Sequence, residues 1–249
     1  MQFKDKIVVI TGGATGIGAA TALSFANSGA KVYVFDNTQL SYQSDKIEFI
    51  NCDVSNYHQV NEMVDVISGK HKSIDILFAN AGIHLFANIE DTSYEDFEKV
   101  LGVNFKGIFY SLKAILPIMK KNNKGSIVIT GSDQSTIGKA DSAIYGATKG
   151  AIAQLAKSTA IDYAAYNIRV NCVCPGTIDT GLYHRAVNSY NQKTNVSHEL
   201  IYEALNNAQP LKRVGKAEEV AKTVLFLCSD DASFITGALI NVDGGYTAQ

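Results

Sequence analysis

Seven short apolar runs set the limits on what this chain can fold into: KIVVIT, KVYVFD, KIEFINCD, SIDILFANAG, GSIVITGS, IRVNCVCPG and ALINVDGG. Several are continuous rather than alternating, the pattern of parallel strands covered on both faces. Helical periodicity fills most of the gaps, over 19–28, 94–121, 143–166 and 217–229, and Gly29 is placed to stop the first of these helices. Strands alternating with helices dictate βαβ units and an α/β fold, a doubly wound parallel sheet of about seven strands with helices on both faces. One gap departs from the pattern. NTQLSYQSD, between the second and third runs, is too short and polar for a crossover helix and reads as a loop or a single helical turn. The stretch 179–215 is irregular, and a segment of that length in a compact domain is either a functional lid or carries short helices of its own.

With 249 residues, 46% of them hydrophobic, the chain has enough material for one large domain, expected to span 1–249. The formal charge is −2 with acids and bases interspersed, which excludes a nucleic-acid-binding surface or a polybasic membrane segment. No apolar run approaches the roughly 20 residues that span a bilayer, and MQFKDK is not a signal peptide, so the expected location is cytoplasmic. Cys52, Cys172, Cys174 and Cys228 do not form a disulfide scaffold at this length. The Cys172–Cys174 spacing also lacks the second pair that zinc requires, so buried thiols and no metal site are expected.

Between the first strand and the first helix lies TGGATGIG, residues 11–18. That is where a dinucleotide-binding turn must sit. Gly12 permits a tight turn, while Gly16 and Gly18 let a pyrophosphate and the helix come close; the helix N-terminus then offers free N–H groups to the anion. The second strand ends at Asp36, eighteen positions beyond Gly18, where a carboxylate can grip the ribose hydroxyls of NAD. A 2′-phosphate would be repelled there. Residues 36–40 contain no Lys or Arg, and Thr15, before Gly16, is not basic, so NAD is favoured over NADP.

A second constellation carries the chemistry. Tyr145 and Lys149 are four apart on a helical segment and share a face, and Ser132 closes a strand thirteen residues earlier. A phenol with a pKa near 10 is a poor base at neutral pH. A neighbouring ammonium, together with an oxidised nicotinamide, would stabilise the phenolate and lower that value. Ser132 could hold a substrate oxygen beside the phenol.

These pieces together resemble the short-chain dehydrogenases/reductases in their single-domain form of about 250 residues. TGGATGIG, Asp36, CDV (52–54), ANAG (79–82), VNFKG, ITGS, YGATK, RVNCVCPGTIDT and the tail DGGYTAQ follow the family's order over essentially the whole chain. FANAG stands where the family more often has NNAG. The resemblance implies a Rossmann-like fold with cofactor motifs mainly in 1–110 and catalytic and substrate elements mainly in 104–215. It implies a tetrad of Asn104, Ser132, Tyr145 and Lys149. Tyr145 would be the general acid/base, Ser132 would orient the reacting oxygen, Lys149 would also grip the nicotinamide ribose, and Asn104 would hold a water linking Lys149 to solvent. Cofactor contacts would come from Gly12, Thr15, Gly16, Ile17, Gly18 and Asp36, then from Asp53 and Val54 at the adenine. Asn80, Ala81 and Gly82 would line the ribose side, and Pro175, Gly176, Ile178 and Thr180 would meet the nicotinamide end. A homotetramer or homodimer is also implied.

Near the expected substrate pocket stand His84, Asp133, Gln134, Asp141, His184 and Arg185, with Phe86, Leu182 and Tyr183 beside them. The polar set favours a small polyol, sugar or hydroxy acid, and Arg185 suits a carboxylate. A 3-oxoacyl-type or cyclic ketone reductase is the alternative within the enzyme class, and a non-catalytic dinucleotide sensor is the alternative outside it.

Overall fold

A computed structural model describes residues 2–249. All seven apolar runs form strands of one parallel sheet: β1 (Ile7–Thr11), β2 (Lys31–Asp36), β3 (Ile47–Asn51), β4 (Ile76–Ala79), β5 (Gly125–Thr130), β6 (Ile168–Pro175) and, last in the chain, β9 (Leu239–Val242). Their order in space is β3-β2-β1-β4-β5-β6-β9. The chain steps outward from β1 to β3, then returns to the other side of β1 with β4. Thr11 lies level with Phe35 on one neighbour and Ala79 on the other. The crevice beyond the C-terminal ends of β1 and β4 is therefore the point where strand order reverses, which is where such sheets bind ligands.

The helices between these strands are α1 (Gly16–Asn27), α2 (Tyr57–His71), α3 (Tyr94–Leu101), α4 (Gly107–Lys121), α5 (Ala143–Tyr163) and α8 (Ala217–Cys228). Alternate residues of the strands feed two apolar layers. Val9, Leu77 and Ile127 pack with Val60, Val64 and Ile67 of α2, Ile115 of α4 and Ile152 of α5. Val8, Ile10, Phe78 and Val128 pack with Phe25 of α1 and Val220 and Val224 of α8. Each such side chain, fully buried, contributes about 1.5–3 kcal/mol. The two layers explain why the strands read as unbroken apolar runs.

Three local features depart from simple periodicity. Residues 37–46 form no helix, and Tyr42 from this loop donates to the Gly13 carbonyl at 2.6 Å. The periodic stretch 94–121 is α3 and α4 joined by a π-helical turn, Gly102–Lys106, which points Asn104 into the protein. The stretch 179–215 carries two helices, α6 (Gly181–Thr194) and α7 (His198–Ala208), joined over a small core of Tyr183, Val187 and Ile201. Its base is pinned by two-residue strands, β7 (Ile178–Asp179) and β8 (Gly215–Lys216), that pair in parallel. Among the described residues no helix is long and apolar enough to cross a membrane. All four cysteines are buried free thiols.

Candidate active site

A cavity of about 810 Å³ runs along the C-terminal edge of the sheet, from Asp36 and Asp53 at one end to α6 and α7 at the other. At its first end the glycine turn is held shut from below. Gly12 has φ +65, and a Cβ there would lie 2.6 Å from the Ala81 Cα, so only glycine fits. A Cβ on Gly18 would run into the Gly12 carbonyl. Thr15 precedes α1 without capping it, so the N–H groups of the first helical turn have no side-chain acceptor. Asp36 accepts from Ala14 N at 2.9 Å and Thr38 N at 3.0 Å, one bond on each carboxylate oxygen, and keeps a second acceptor site on each. An NAD(P) dinucleotide fits this cradle. Its walls include Thr15, Gly16, Ile17, Asp53, Val54, Ala81, Gly82, Pro175, Gly176, Ile178 and Thr180.

Asn80 also borders the cavity, but its side chain serves the scaffold. It donates to Gly12 O at 2.8 Å and accepts from Thr130 Oγ1 at 3.1 Å, tying together the ends of β1, β4 and β5. Asp53 bends the chain into α2 by accepting from the Ser55 N–H at 2.9 Å and its hydroxyl at 2.7 Å.

Midway along the cavity the strand ends and α5 bring Ser132, Tyr145 and Lys149 together. Lys149 is 3% exposed and donates to Thr130 O at 2.8 Å; its Nζ lies 5.5 Å from the Tyr145 ring centre. Burial pulls the Lys149 ammonium down to about 8. The lowered phenol expected from sequence is not found in the protein alone. Burial pushes Tyr145 up to about 12; the neighbouring Ser132 hydroxyl offsets this only in part, and the Asp133 carboxylate adds to the rise. Asn104 is fully buried behind this group. It accepts from Ile83 N at 2.8 Å and donates to Ile83 O at 2.9 Å, and so clamps the chain after β4 against the π turn. It reaches α5 through Thr148 Oγ1 at 3.3 Å.

The substrate end is more mixed than its polar residues suggested. His84, Asp133, Gln134, Tyr183 and Arg185 line the cavity, as expected. The His84 ring sits 4.6 Å from that of Tyr145, and burial, reinforced by Lys139, lowers its pKa. His184 lies outside the lining. Its ring pairs with Asp179 at 2.9 Å and Tyr202 at 3.2 Å, because its place in the first turn of α6 turns it to the outer face. Asp141 is likewise not among the lining residues. The outer wall from α6 and α7 is apolar: Leu182, Val187, Tyr190, Leu200 and Leu205, facing Phe86. Sequence reasoning missed Lys139, whose ammonium reaches Asp133 at 2.6 Å from a loop six residues away. It also missed Tyr42, since neither lies in a recognisable motif.

A doubly wound sheet with a phosphate-sized glycine cradle and an adjacent serine, phenol and ammonium defines a nucleotide-dependent oxidoreductase. The comparisons with known proteins agree. The family model described as Enoyl-(Acyl carrier protein) reductase matches residues 12–247. An uncharacterized oxidoreductase of Thermotoga maritima is 38% identical, with all of both chains covered. Cyclopentanol dehydrogenase of Comamonas sp. is 36% identical over 100% of this chain and 99% of that one. Among solved structures, ligand-free aldohexose dehydrogenase of Thermoplasma acidophilum superimposes with a TM-score of 0.93 at 36% identity, covering 99% of this chain and 96% of that one. NAD⁺-bound xylitol dehydrogenase gives 0.91 at 32% identity, covering 98% and 100%. The chain belongs to the short-chain dehydrogenase/reductase family, oxidoreductases that act on alcohols or ketones.

Proposed function

We propose that the protein is an NAD(H)-dependent dehydrogenase that interconverts a small polar secondary alcohol and its ketone, with Tyr145 as general acid/base. The observation that carries this reading is the convergence of Ser132, Tyr145 and Lys149 on one cavity that begins at the glycine cradle. The dinucleotide, when bound, supplies or accepts the hydride. The rest is done by the chain. In oxidation, Tyr145 Oη takes the proton of the substrate hydroxyl while Ser132 holds that oxygen in place. Lys149 keeps a positive charge beside the phenol, holds the nicotinamide ribose and receives protons from solvent along a path that passes Asn104. The first-turn N–H groups of α1 meet the pyrophosphate, and Asp36 accepts from the adenosine ribose.

NAD rather than NADP follows from Asp36, which would face a 2′-phosphate with no lysine or arginine nearby over 37–40. The polar-substrate reading is supported by His84, Asp133, Gln134 and Arg185 in the lining. A second reading, a cyclic or otherwise apolar alcohol, is favoured by the wall of Leu182, Val187, Tyr190 and Leu205. A panel of polyols, sugars, hydroxy acids and cyclic alcohols, each scored with NAD and with NADP by nicotinamide fluorescence, separates them. We expect turnover with polar alcohols and NAD. Activity confined to apolar substrates would reject the first reading of the pocket, and a preference for NADP would reject the role of Asp36.

We also propose a homotetramer or homodimer. Phe109 on α4 and Ile161 on α5 are 44% and 78% exposed, and Phe226 and Phe234 near α8 are 45% and 103% exposed. Apolar sets of that kind suit subunit contacts.

A further inference from the structure

The hydroxyl of Ser132 is already spoken for. It donates to Asp133 Oδ1 at 2.8 Å and accepts from Gln134 N–H at 3.2 Å. A serine has one proton and two lone pairs, so a single lone pair is left to face the cavity. Asp133 is 3% exposed, and its other oxygen takes the Lys139 ammonium at 2.6 Å. A buried carboxylate keeps its charge only with such a partner. The ammonium in turn sits 4.4 Å from the ring centre of Tyr246, in the last turn of the chain, which fixes it from the far side.

We propose that Asp133 and Lys139 are positioning residues that set the direction of the Ser132 proton. With Asp133 ionised and paired, the proton points away from the reaction space and Ser132 presents an acceptor to the phenol. That arrangement withholds from Tyr145 the donated hydrogen bond that would stabilise the phenolate needed for alcohol oxidation. Ser132 can donate to a phenolate or to a substrate oxygen only after turning from Asp133, and the Lys139 pair governs how readily it turns. The other charged and titratable groups near this cluster are His84 from the loop after β4, Lys149 and Tyr145 from α5, and Tyr246; Arg185 lines the same cavity from α6. Burial and the neighbouring lysines disfavour the charged form of His84, with the Asp133 carboxylate acting the other way. Nothing in the motif sequence marks this device, because Lys139 lies in the loop between strand and helix.

The inference rests on the acid/base role proposed for Tyr145, and its test separates the two. The pH profile of kcat/KM for alcohol oxidation is measured for wild type, Asp133→Asn, Lys139→Met and Lys139→Arg. Tyrosinate absorbance of the NAD⁺ complex is titrated in parallel, each protein being referenced to its own Tyr145→Phe double variant. Asp133→Asn, which frees the Ser132 proton, is expected to move the phenolate limb and the tyrosinate titration to lower pH by about one unit. Lys139→Met is expected to move both the opposite way, and Lys139→Arg to restore the wild-type position, with NADH affinity unchanged throughout. Uniform losses with no displacement of either titration would overturn the proposal, as would equal effects of Met and Arg at position 139. If Asp133→Asn does not fold, the Met and Arg pair decides alone. A tyrosinate shift without any turnover in wild type would leave the proton-direction claim standing and reject the acid/base reading.

Discussion

Lys149 is the residue whose environment departs furthest from what its position in the sequence suggested. The spacing of a lysine four residues after a tyrosine predicts a cation that lowers a phenol. In the protein without dinucleotide the dominant effect on both groups is burial, which disfavours either charge: the ammonium falls to about 8 and the phenol rises to about 12. Spacing reveals which groups meet but not how much water they lose. The sign for stability follows directly. The unfolded chain holds the Lys149 proton up to about 10.5, whereas the folded one releases it from about 8, so the cofactor-free protein gains stability as pH rises between those values. Lys149→Met is expected to raise the melting temperature of the free protein at pH 7 by an amount worth about 2 kcal/mol, after allowing for the lost bond to Thr130, and to lose that advantage by pH 10. Scanning calorimetry at both pH values checks this; a destabilised variant at pH 7 would mean the ammonium is solvated in the folded state. Asn80 carries a related lesson. Its place in ANAG implies a cofactor contact, and its amide also spends one N–H on Gly12 O and one lone pair on Thr130, a scaffold role the motif does not announce.

At the level of elements, strands were the most legible. Every apolar run became a strand because covering on both faces leaves no polar alternation to confuse with a helix. The glycine turn was legible for the same reason, since strand, turn and helix each constrain the next. Gly12→Ala is expected to cost about 1–3 kcal/mol through the positive φ and the contact with Ala81, and to weaken NADH binding; urea unfolding and fluorescence titration measure the two effects. An alanine variant of wild-type stability and affinity would mean the turn can open without loss. The α6–α7 hairpin was legible only as a stretch that carries short helices of its own or forms a lid, without helix bounds. α6 carries few apolar residues, and the hairpin rests on its own small core, a two-residue strand pair, bonds from Lys193 to Phe86 O at 2.7 Å and from Gln249 to Ala208 O at 3.1 Å, and the Phe86–Tyr190 ring contact. So few attachments place it at the low-stability end of the molecule. Its amides are expected to exchange much faster than those of β5 in the free protein and to slow on addition of NADH. Protection equal to that of β5 without ligand would contradict a movable cover.

At the scale of the whole molecule, one sheet does two tasks. Its switch point forms the glycine cradle from β1, β2 and β4, and the adjoining ends of β5 and β6 carry the proposed chemistry. Both tasks share a single cavity because all the strands are parallel and end on the same side. Outside that cavity, Phe109, Ile161, Phe226 and Phe234 are exposed. Sedimentation of the purified protein is expected to give a mass two or four times the chain's 26.8 kDa. A monomer at micromolar concentration would contradict the assembly. If one phenol exchanges the substrate proton beside the bound dinucleotide, Tyr145→Phe must suppress turnover without loosening the dinucleotide. Paired measurements of NADH affinity and of NAD reduction with the best alcohol of the panel are predicted to show unchanged binding and turnover reduced by about 10²–10⁴-fold. Ordinary turnover by the phenylalanine variant would remove Tyr145 from the chemistry and the account with it.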